Sequence, residues 1–436
     1  MSSASSAQPR PALAYALWLD SLTRAGWDAG QPADQLPVAD ALGRVTAEPI
    51  VARWPSPRSD CSAMDGIAVS AAVLAAAVLA AGADRGRAGA AVGCLSAGAF
   101  EWIDTGDPIP DRADTVVPRE WLVQQEDGSV VITGTGEAGG GRIAVPRGRH
   151  VRRAGEDFAA GEVLVAAGRR LRPGDLAAAA AGGHTSVPVA RRPVVAIIPT
   201  GDEIRPIGSP VRPGEIIDTN SLMLATRCRQ VGAVPVLSDV QPDDPDALAA
   251  ELRRCAQGAD LVLVIAGSSR GRGDHAASVL AQVGGVAVAG VAIRPGHPVL
   301  LGHAKRPQTE PAGLAGIAPV IGLPGYPIAA ALIFELFAAP LVAAFQGVRQ
   351  PASPRLLATL DRDWTSPPGI EDWVLVTLAD GAQAGGDLAG VAVPVATPAR
   401  RGAGSISQLA RADAWWPIPA DRVAFAAGAV IEVLPI

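Results

Sequence analysis

The sequence predicts a multidomain chain of α/β and β parts built around a central doubly wound α/β domain. Length is the first of its grounds: 436 residues exceed what one hydrophobic core usually supports, so several domains are expected. The second is the rhythm from Pro193 to Phe345, where strand-length and helix-length apolar segments alternate as in a parallel sheet with helices on its faces. The third is a shorter rhythm before and after that region, with apolar runs set between Gly, Pro or Asp-Gly, which marks small β-rich parts.

In chain order, Pro11–Ala25 carries Leu13, Ala14, Ala16, Leu17, Leu19 and Leu22 near helical spacing and predicts an amphipathic helix. Val38–Val51, with Ala41-Leu-Gly-Arg-Val45, predicts a second helix followed by an extended arm. A Pro-broken loop from Trp54 then leads into a strand at Gly66–Val69. Ser129–Thr133, directly after Asp127-Gly128, reads as a strand of a β module, and Pro173-Gly-Asp175 starts a helix at Leu176–Ala181. Strands are predicted at Val194–Pro199, Val234–Ser238, Leu261–Ala266 and Ala318–Leu323, with helices at Asn220–Val231, Pro245–Cys255, His275–Val283 and Ile328–Phe345. Beyond Gln350, strands such as Trp373–Leu378 and Val430–Leu434 stand among turns without a long helix, which suits a small β-barrel. The expected division is 1–82 with 154–190 as a discontinuous helical and extended domain, 83–153 as an inserted β module, 191–348 as the three-layer α/β domain and 349–436 as the barrel.

Composition narrows the function. Apolar residues make up 49% and charged residues 18%, a globular balance. Net charge is −6, and the densest basic run, Arg147 to Arg153, is small for duplex DNA, so no nucleic-acid partner is expected. That run would suffice for a small anion, with solvated side chains as the alternative. Cys61, Cys94, Cys228 and Cys255 share no CxxC spacing and read as free thiols of a reducing compartment. The start is polar and lacks a signal-type apolar core. Ala71–Ala81 is too short for a membrane span, and Ile328–Phe345 is interrupted by Glu335 and Pro340. The expectation is a cytoplasmic protein with no membrane partner.

Loops leaving the carboxyl ends of parallel strands should meet at one crevice, where α/β sheets bind ligands. Thr200-Gly201-Asp202-Glu203 is one. Gly267-Ser268-Ser269-Arg270-Gly271-Arg272-Gly273-Asp274 is another, an oxyanion cradle of backbone N–H groups, hydroxyls and a helix start that lacks the Gly-Lys-Ser/Thr ending of a Walker loop. Gly322-Leu-Pro-Gly-Tyr-Pro327 is a third, in which Pro324 and Pro327 fix the turn and Gly325 leaves the backbone open to a ligand. Asp202, Glu203 and Asp243 offer hard oxygens that suit Mg²⁺ shared with a substrate phosphate, while Asp243-Asp244 before Pro245 can equally cap a helix. Arg294-Pro-Gly-His297-Pro298 could hold an anion or be solvated. Asp65 in Ser62-Ala-Met-Asp-Gly66 caps no clear helix.

These stretches, with Arg152-Arg-Ala-Gly-Glu-Asp157 and Asp218-Thr-Asn220, occur in an order that resembles the molybdopterin molybdenumtransferases, the MoeA and gephyrin E-domain family, from about residue 11 to the end. The Gly-Leu-Pro-Gly-Tyr-Pro turn resembles one branch of it. The resemblance implies an elongated four-domain homodimer that inserts molybdate into adenylylated molybdopterin with Mg²⁺, releasing AMP, and a possible molybdopterin adenylyltransferase partner. It implies catalytic roles for Asp65, Asp157, Glu203, Asp243 and Asp274, the last also as a metal ligand beside Asp202, Glu203 and Asp243. It implies substrate contacts at Thr105, Arg294, His297, Pro324, Pro327 and Ser405, to which the loops add Thr200, Gly201, Gly267, Ser268, Ser269, Gly271 and Gly325. The site would lie between the strand-end crevice of one subunit and the Asp65 region of the other. The chain departs from the family pattern at Arg270 and Arg272, at Ile67 and Tyr326, and at two usual lysines, where Arg294 and Gly290 stand. Those departures leave a non-catalytic molybdopterin- or molybdate-binding carrier or sensor as the alternative; a third reading, a molybdopterin adenylyltransferase, rests on the central α/β domain, which resembles that enzyme too.

Overall fold

The computed structural model describes residues 8–28, 30, 33–81, 92–133, 146–265, 275–306, 316–348, 354–381 and 393–436. It contains two compact units, Gln35–Val189 and the residues up to Asp34 together with Ala190–Ile436.

In the larger unit six strands form one sheet, in the order Val234–Leu237, Val194–Pro199, Leu261–Ile265, Ile317–Leu323, Leu300–Lys305, Gly284–Ala289. The first four run parallel, as alternation of strand and helix predicts. The last two are antiparallel, so the sheet is mixed rather than parallel throughout. Only residues 290–299 join Gly284–Ala289 to Leu300–Lys305, too little chain for the crossover that a parallel pair requires.

Helices cover both faces. Val195, Ile197, Leu263 and Ile321 point to one side, where Trp18, Leu224, Cys228, Phe334 and Phe337 fill the core. Ala196, Ile198, Val262 and Val264 point to the other, against Leu248, Leu252, Val279 and Leu280. The helix Pro11–Arg24 belongs to the first face, with Trp18 Nε1 donating to the Gly302 carbonyl at 2.8 Å. By its contacts it groups with the larger unit. Pro327–Phe345 is the one helix among the described residues long and apolar enough to cross a membrane, and 67% of its apolar window is buried in this core. The two features that interrupt its apolar pattern have local reasons. Glu335 takes a two-pronged ion pair from Arg227, at 2.6 and 2.9 Å. Pro340 lacks an N–H, and the helix widens to a π turn at Phe334–Ala338 just before it.

The barrel closes through five strands: Glu371–Ala379 pairs with Val395–Pro398 and Ala414–Ile418, and Val430–Pro435 and Leu356–Leu360 complete the ring. Val376, Ala396, Trp416 and Val433 fill it. Ile293–Arg294 adds in parallel to Glu371–Asp372 at its rim.

In the smaller unit, Gly66–Val69 lies between Glu101–Ile103 and Thr115–Pro118, and Val130–Ile132 lies between Gly93–Leu95 and Leu122–Gln124. The second helix expected within Val38–Val51 does not form. A single 3-10 turn at Val38–Asp40 gives way to bridges from Val45 to Arg170 and from Thr46 to Val189, so pairing with distant segments overrides local propensity.

Candidate active site

Register places the strand ends side by side: Pro199 pairs with Ile265, and Ile265 with Leu323. The chain leaves Val194–Pro199 toward Val234–Leu237 on one side, while Leu261–Ile265 lies on the other, which makes this edge the topological switch point where open α/β sheets bind ligands.

Thr200 is buried and its hydroxyl donates to the Ile265 carbonyl at 3.0 Å, so it ties two strand ends together and does not face a ligand. Gly201 has φ +135°, and a Cβ there would meet Glu203 Oε2 at 2.8 Å. The missing side chain is what lets the Glu203 carboxylate fold back over the turn. Asp202 Oδ1 accepts from the Asp243 amide at 3.3 Å, joining the ends of two neighbouring strands. Asp244, not Asp243, caps the next helix, accepting from the Ala247 amide at 2.7 Å. Asp202, Glu203 and Asp243 therefore stand as exposed carboxylates at one sheet edge. Gly267, Ser268, Ser269, Gly271 and Asp274 lie outside the described residues.

The third wall is the Pro-Gly-Tyr-Pro turn. The Asn220 side-chain amide donates to the Gly325 carbonyl at 2.7 Å, and Asp218 Oδ1 caps the Ser221 amide at 2.9 Å, so the Asp-Thr-Asn stretch fixes this turn. Tyr326 is 65% exposed and lies against Gly404, where a Cβ would come within 3.2 Å of its ring. The Ile328 amide donates to the Ala403 carbonyl, which brings Ser405 and the Pro324–Pro327 turn together across sheet and barrel. A cavity of about 400 Å³ opens there, bordered by Pro324, Arg294, His297, Trp364, Trp373 and Arg401 among others.

Two expected cationic ligands are otherwise engaged. Arg294 gives Nε and a terminal nitrogen to Asp372, both at 3.1 Å, and that carboxylate is only 3% exposed. His297 is turned so that Nδ1 meets the Val291 carbonyl at 3.1 Å. Asp372 was missed by the sequence reading because its partner lies 78 residues away and no local pattern marks it.

In the smaller unit Asp65 and Thr105 come together: the Thr105 hydroxyl and amide both donate to Asp65 Oδ1 at 2.7 Å. The hydroxyl first and then the amide hold the Asp65 carboxyl below the usual carboxylate range. Asp157 is exposed one position beyond the Arg152–Glu156 ion pair. The basic run offers no open anion site: Arg147 pairs with Asp114, Arg152 with Glu156 and Arg153 with Asp60, while Arg149 lies over Trp121. Among the described residues no three His, Cys, Asp or Glu form a metal cage.

Together these features define a multidomain α/β and β-barrel protein with a carboxylate-rich crevice at the switch point of its sheet. Residues 12–183 match the MoeA N-terminal region (domain I and II), 196–344 a probable molybdopterin binding domain and 358–436 the MoeA C-terminal region (domain IV). The chain is 32% identical over 419 residues to molybdopterin molybdenumtransferase 2 of Mycobacterium tuberculosis, covering 91% of this chain and 94% of that one. It is 30% identical over 411 residues to the molybdopterin molybdenumtransferase of Bacillus subtilis, covering 91% and 88%. The crystal structure of a molybdopterin biosynthesis MoeA protein from Pyrococcus horikoshii superposes with a TM-score of 0.76 at 27% identity, covering 98% of each chain. The chain belongs to the molybdopterin molybdenumtransferase family.

Proposed function

We infer that this chain inserts molybdate into adenylylated molybdopterin, yielding molybdenum cofactor and AMP. The observation that carries the reading is the set of exposed carboxylates Asp202, Glu203 and Asp243 at the switch point, beside the wall made by Pro324 and Gly325. The donor set fits Mg²⁺, which takes one or two carboxylates and completes its shell with water and substrate phosphates, so fewer than three protein carboxylates suffice. Asp202 and Asp243 would hold it, with Glu203 beside them, and the resemblance adds Asp274 as a ligand. When bound, the ion supplies charge neutralisation at the phosphate that leaves with AMP.

The remaining work falls to the chain's own groups. The Gly325 carbonyl, held by Asn220, fixes one wall of the crevice. Asp65, held in place by the Thr105 hydroxyl and amide, presents a negative charge. We assign Asp157 a catalytic role on the resemblance alone. Positioning of this kind is a recurrent source of rate in group transfer. The protein acts as a cytoplasmic homodimer that takes its substrate from a molybdopterin adenylyltransferase; light scattering on the purified chain tests the dimer, and a monomer mass would reject it.

The direct test mixes purified chain, Mg²⁺, molybdate and adenylylated molybdopterin and follows AMP. Release no faster than that of Glu203→Ala would overturn the reading. A non-catalytic carrier is favoured by one observation, that Arg294 at a usual lysine position is committed to Asp372; substrate binding without AMP release would select it.

A further inference from the structure

The three-stranded sheet of the smaller unit presents a second charge beside Asp65. Gly66 pairs with Pro118, and Ile67 pairs with Val117 on one side and Trp102 on the other. One step back in that register Asp65 stands opposite Arg119, whose amide donates to the Asp65 carbonyl at 2.8 Å. Opposed residues of an antiparallel pair point to the same side, and side chains alternate along each strand. Asp65, Arg119 and Trp102 therefore share one face of the sheet.

The groups on this face differ in what they already hold. Both Thr105 donors go to Asp65 Oδ1, and Oδ2 takes no hydrogen bond among the described residues. Arg119 is exposed, and its guanidinium lies 5.5 Å from the centre of the Trp102 ring. Its side chain makes no ion pair or hydrogen bond among the described residues. Glu101, next to Trp102 in the chain, is committed to Arg112 at 2.7 Å. Trp102 is 44% exposed, and Phe100 stands edge-on to it at 5.8 Å, so the ring under Arg119 is itself propped in place.

We propose that Arg119 binds the phosphate of a ligand whose hydroxyl is taken by Asp65 Oδ2, as the phosphate and ribose of a nucleoside monophosphate would be. The indole holds the guanidinium by cation–π attraction and leaves its N–H fork, which fits phosphate oxygens, without a partner. An exposed arginine alone holds a free anion weakly, and the neighbouring carboxylate repels one. The pair instead selects a ligand that carries an anion and a hydrogen-bond donor side by side. Opposed side chains start about 5 Å apart, a spacing that a ribose phosphate spans. On the reading of function given above, on which this identification of the ligand rests, it is the adenylyl half of the substrate and the AMP released from it.

The test is calorimetric titration of the full chain, without Mg²⁺, with AMP and with adenosine, which has the ribose and lacks the phosphate. Native protein is expected to bind AMP at least about tenfold more tightly than adenosine, the scale of a hydrogen bond between charged groups. Arg119→Gln is expected to lose at least about tenfold in AMP affinity and less than about twofold in adenosine affinity. Arg119 is at the surface, so an unchanged melting temperature verifies that the variant is folded; Arg119→Lys, with a smaller loss expected, gives the same contrast if the melt moves. Equal AMP affinity in native protein and Arg119→Gln, an equal loss for both ligands, or no binding of AMP to native protein would each overturn the proposal. AMP release from adenylylated molybdopterin by native protein, combined with any of those results, leaves the insertase reading intact. An Arg119-dependent AMP affinity in a protein that releases no AMP from that substrate upholds the phosphate assignment and removes only the insertase.

Discussion

In the Gln35–Val189 unit, Asp65 is exposed and takes both of its hydrogen bonds on one oxygen. At the sheet–barrel junction, Arg294 gives two nitrogens to a carboxylate that is itself buried. Both residues sit in motifs that point to a charged ligand, yet the first is held ready with its charge unmatched while the second has its charge neutralised inside the fold. A charged side chain in a family motif thus says where the backbone goes; only its partners say whether the charge is still available. The same distinction separates Asp243 from its neighbour Asp244, which caps a helix.

Removing the carboxylate partner should break this contrast most visibly. Asp372→Ala strips Arg294 and Ser366 of their acceptor and should destabilise the protein by about 2–4 kcal/mol in urea unfolding, the lower part reflecting the partial exposure of Arg294. Asp65→Asn should shift the unfolding midpoint far less than Asp372→Ala does and lower AMP release at least about tenfold, on the scale of a lost charged contact. If the two variants behave alike in unfolding, the assignment of strut and poised group is wrong.

Gly201→Ala should cost about 1–3 kcal/mol, because φ +135° disfavours a side chain and the new methyl meets Glu203; circular dichroism melts read the cost and AMP release the displaced carboxylate.

Thr105→Val removes the main cause that holds the Asp65 carboxyl low. With a depressed folded value, the ionised form and the stability it contributes are present above the unfolded carboxylate range and are lost as pH falls through the folded value. The variant's acid limb of AMP release should therefore move to higher pH, with the alkaline limb unchanged. The smallest effect expected is chemical. Cys94 is exposed, whereas burial pushes the Cys228 and Cys255 thiols up to about 12, so a thiol reagent at neutral pH should titrate Cys94 first and these two only on unfolding.

Much of the central fold was legible because it is written in local pattern. The parallel strands and their helices follow from apolar runs and from Pro and Asp at helix starts, as at Asp244-Pro245. What escaped depends on distant partners: the bridges from Val45 and Thr46, and Asp372 against Arg294. The antiparallel half of the sheet escaped as well, since Gly284–Ala289 carries no signal of direction until the short link to Leu300 is considered. At the site, turn chemistry located the Pro324–Pro327 wall and the carboxylates, but not the barrel side of the cavity, where Trp364 and Arg400 are brought in by closure of the ring.

The account rests on strand-end carboxylates that serve chemistry and not only the fold. Its most direct measurement is the initial rate of AMP release from adenylylated molybdopterin with and without molybdate, for native protein and Glu203→Ala at matched Mg²⁺. The prediction is a molybdate-dependent rate in the native protein that falls at least about tenfold in a folded Glu203→Ala variant. A native protein that binds substrate yet releases no AMP, or a Glu203→Ala variant as fast as native, would contradict it.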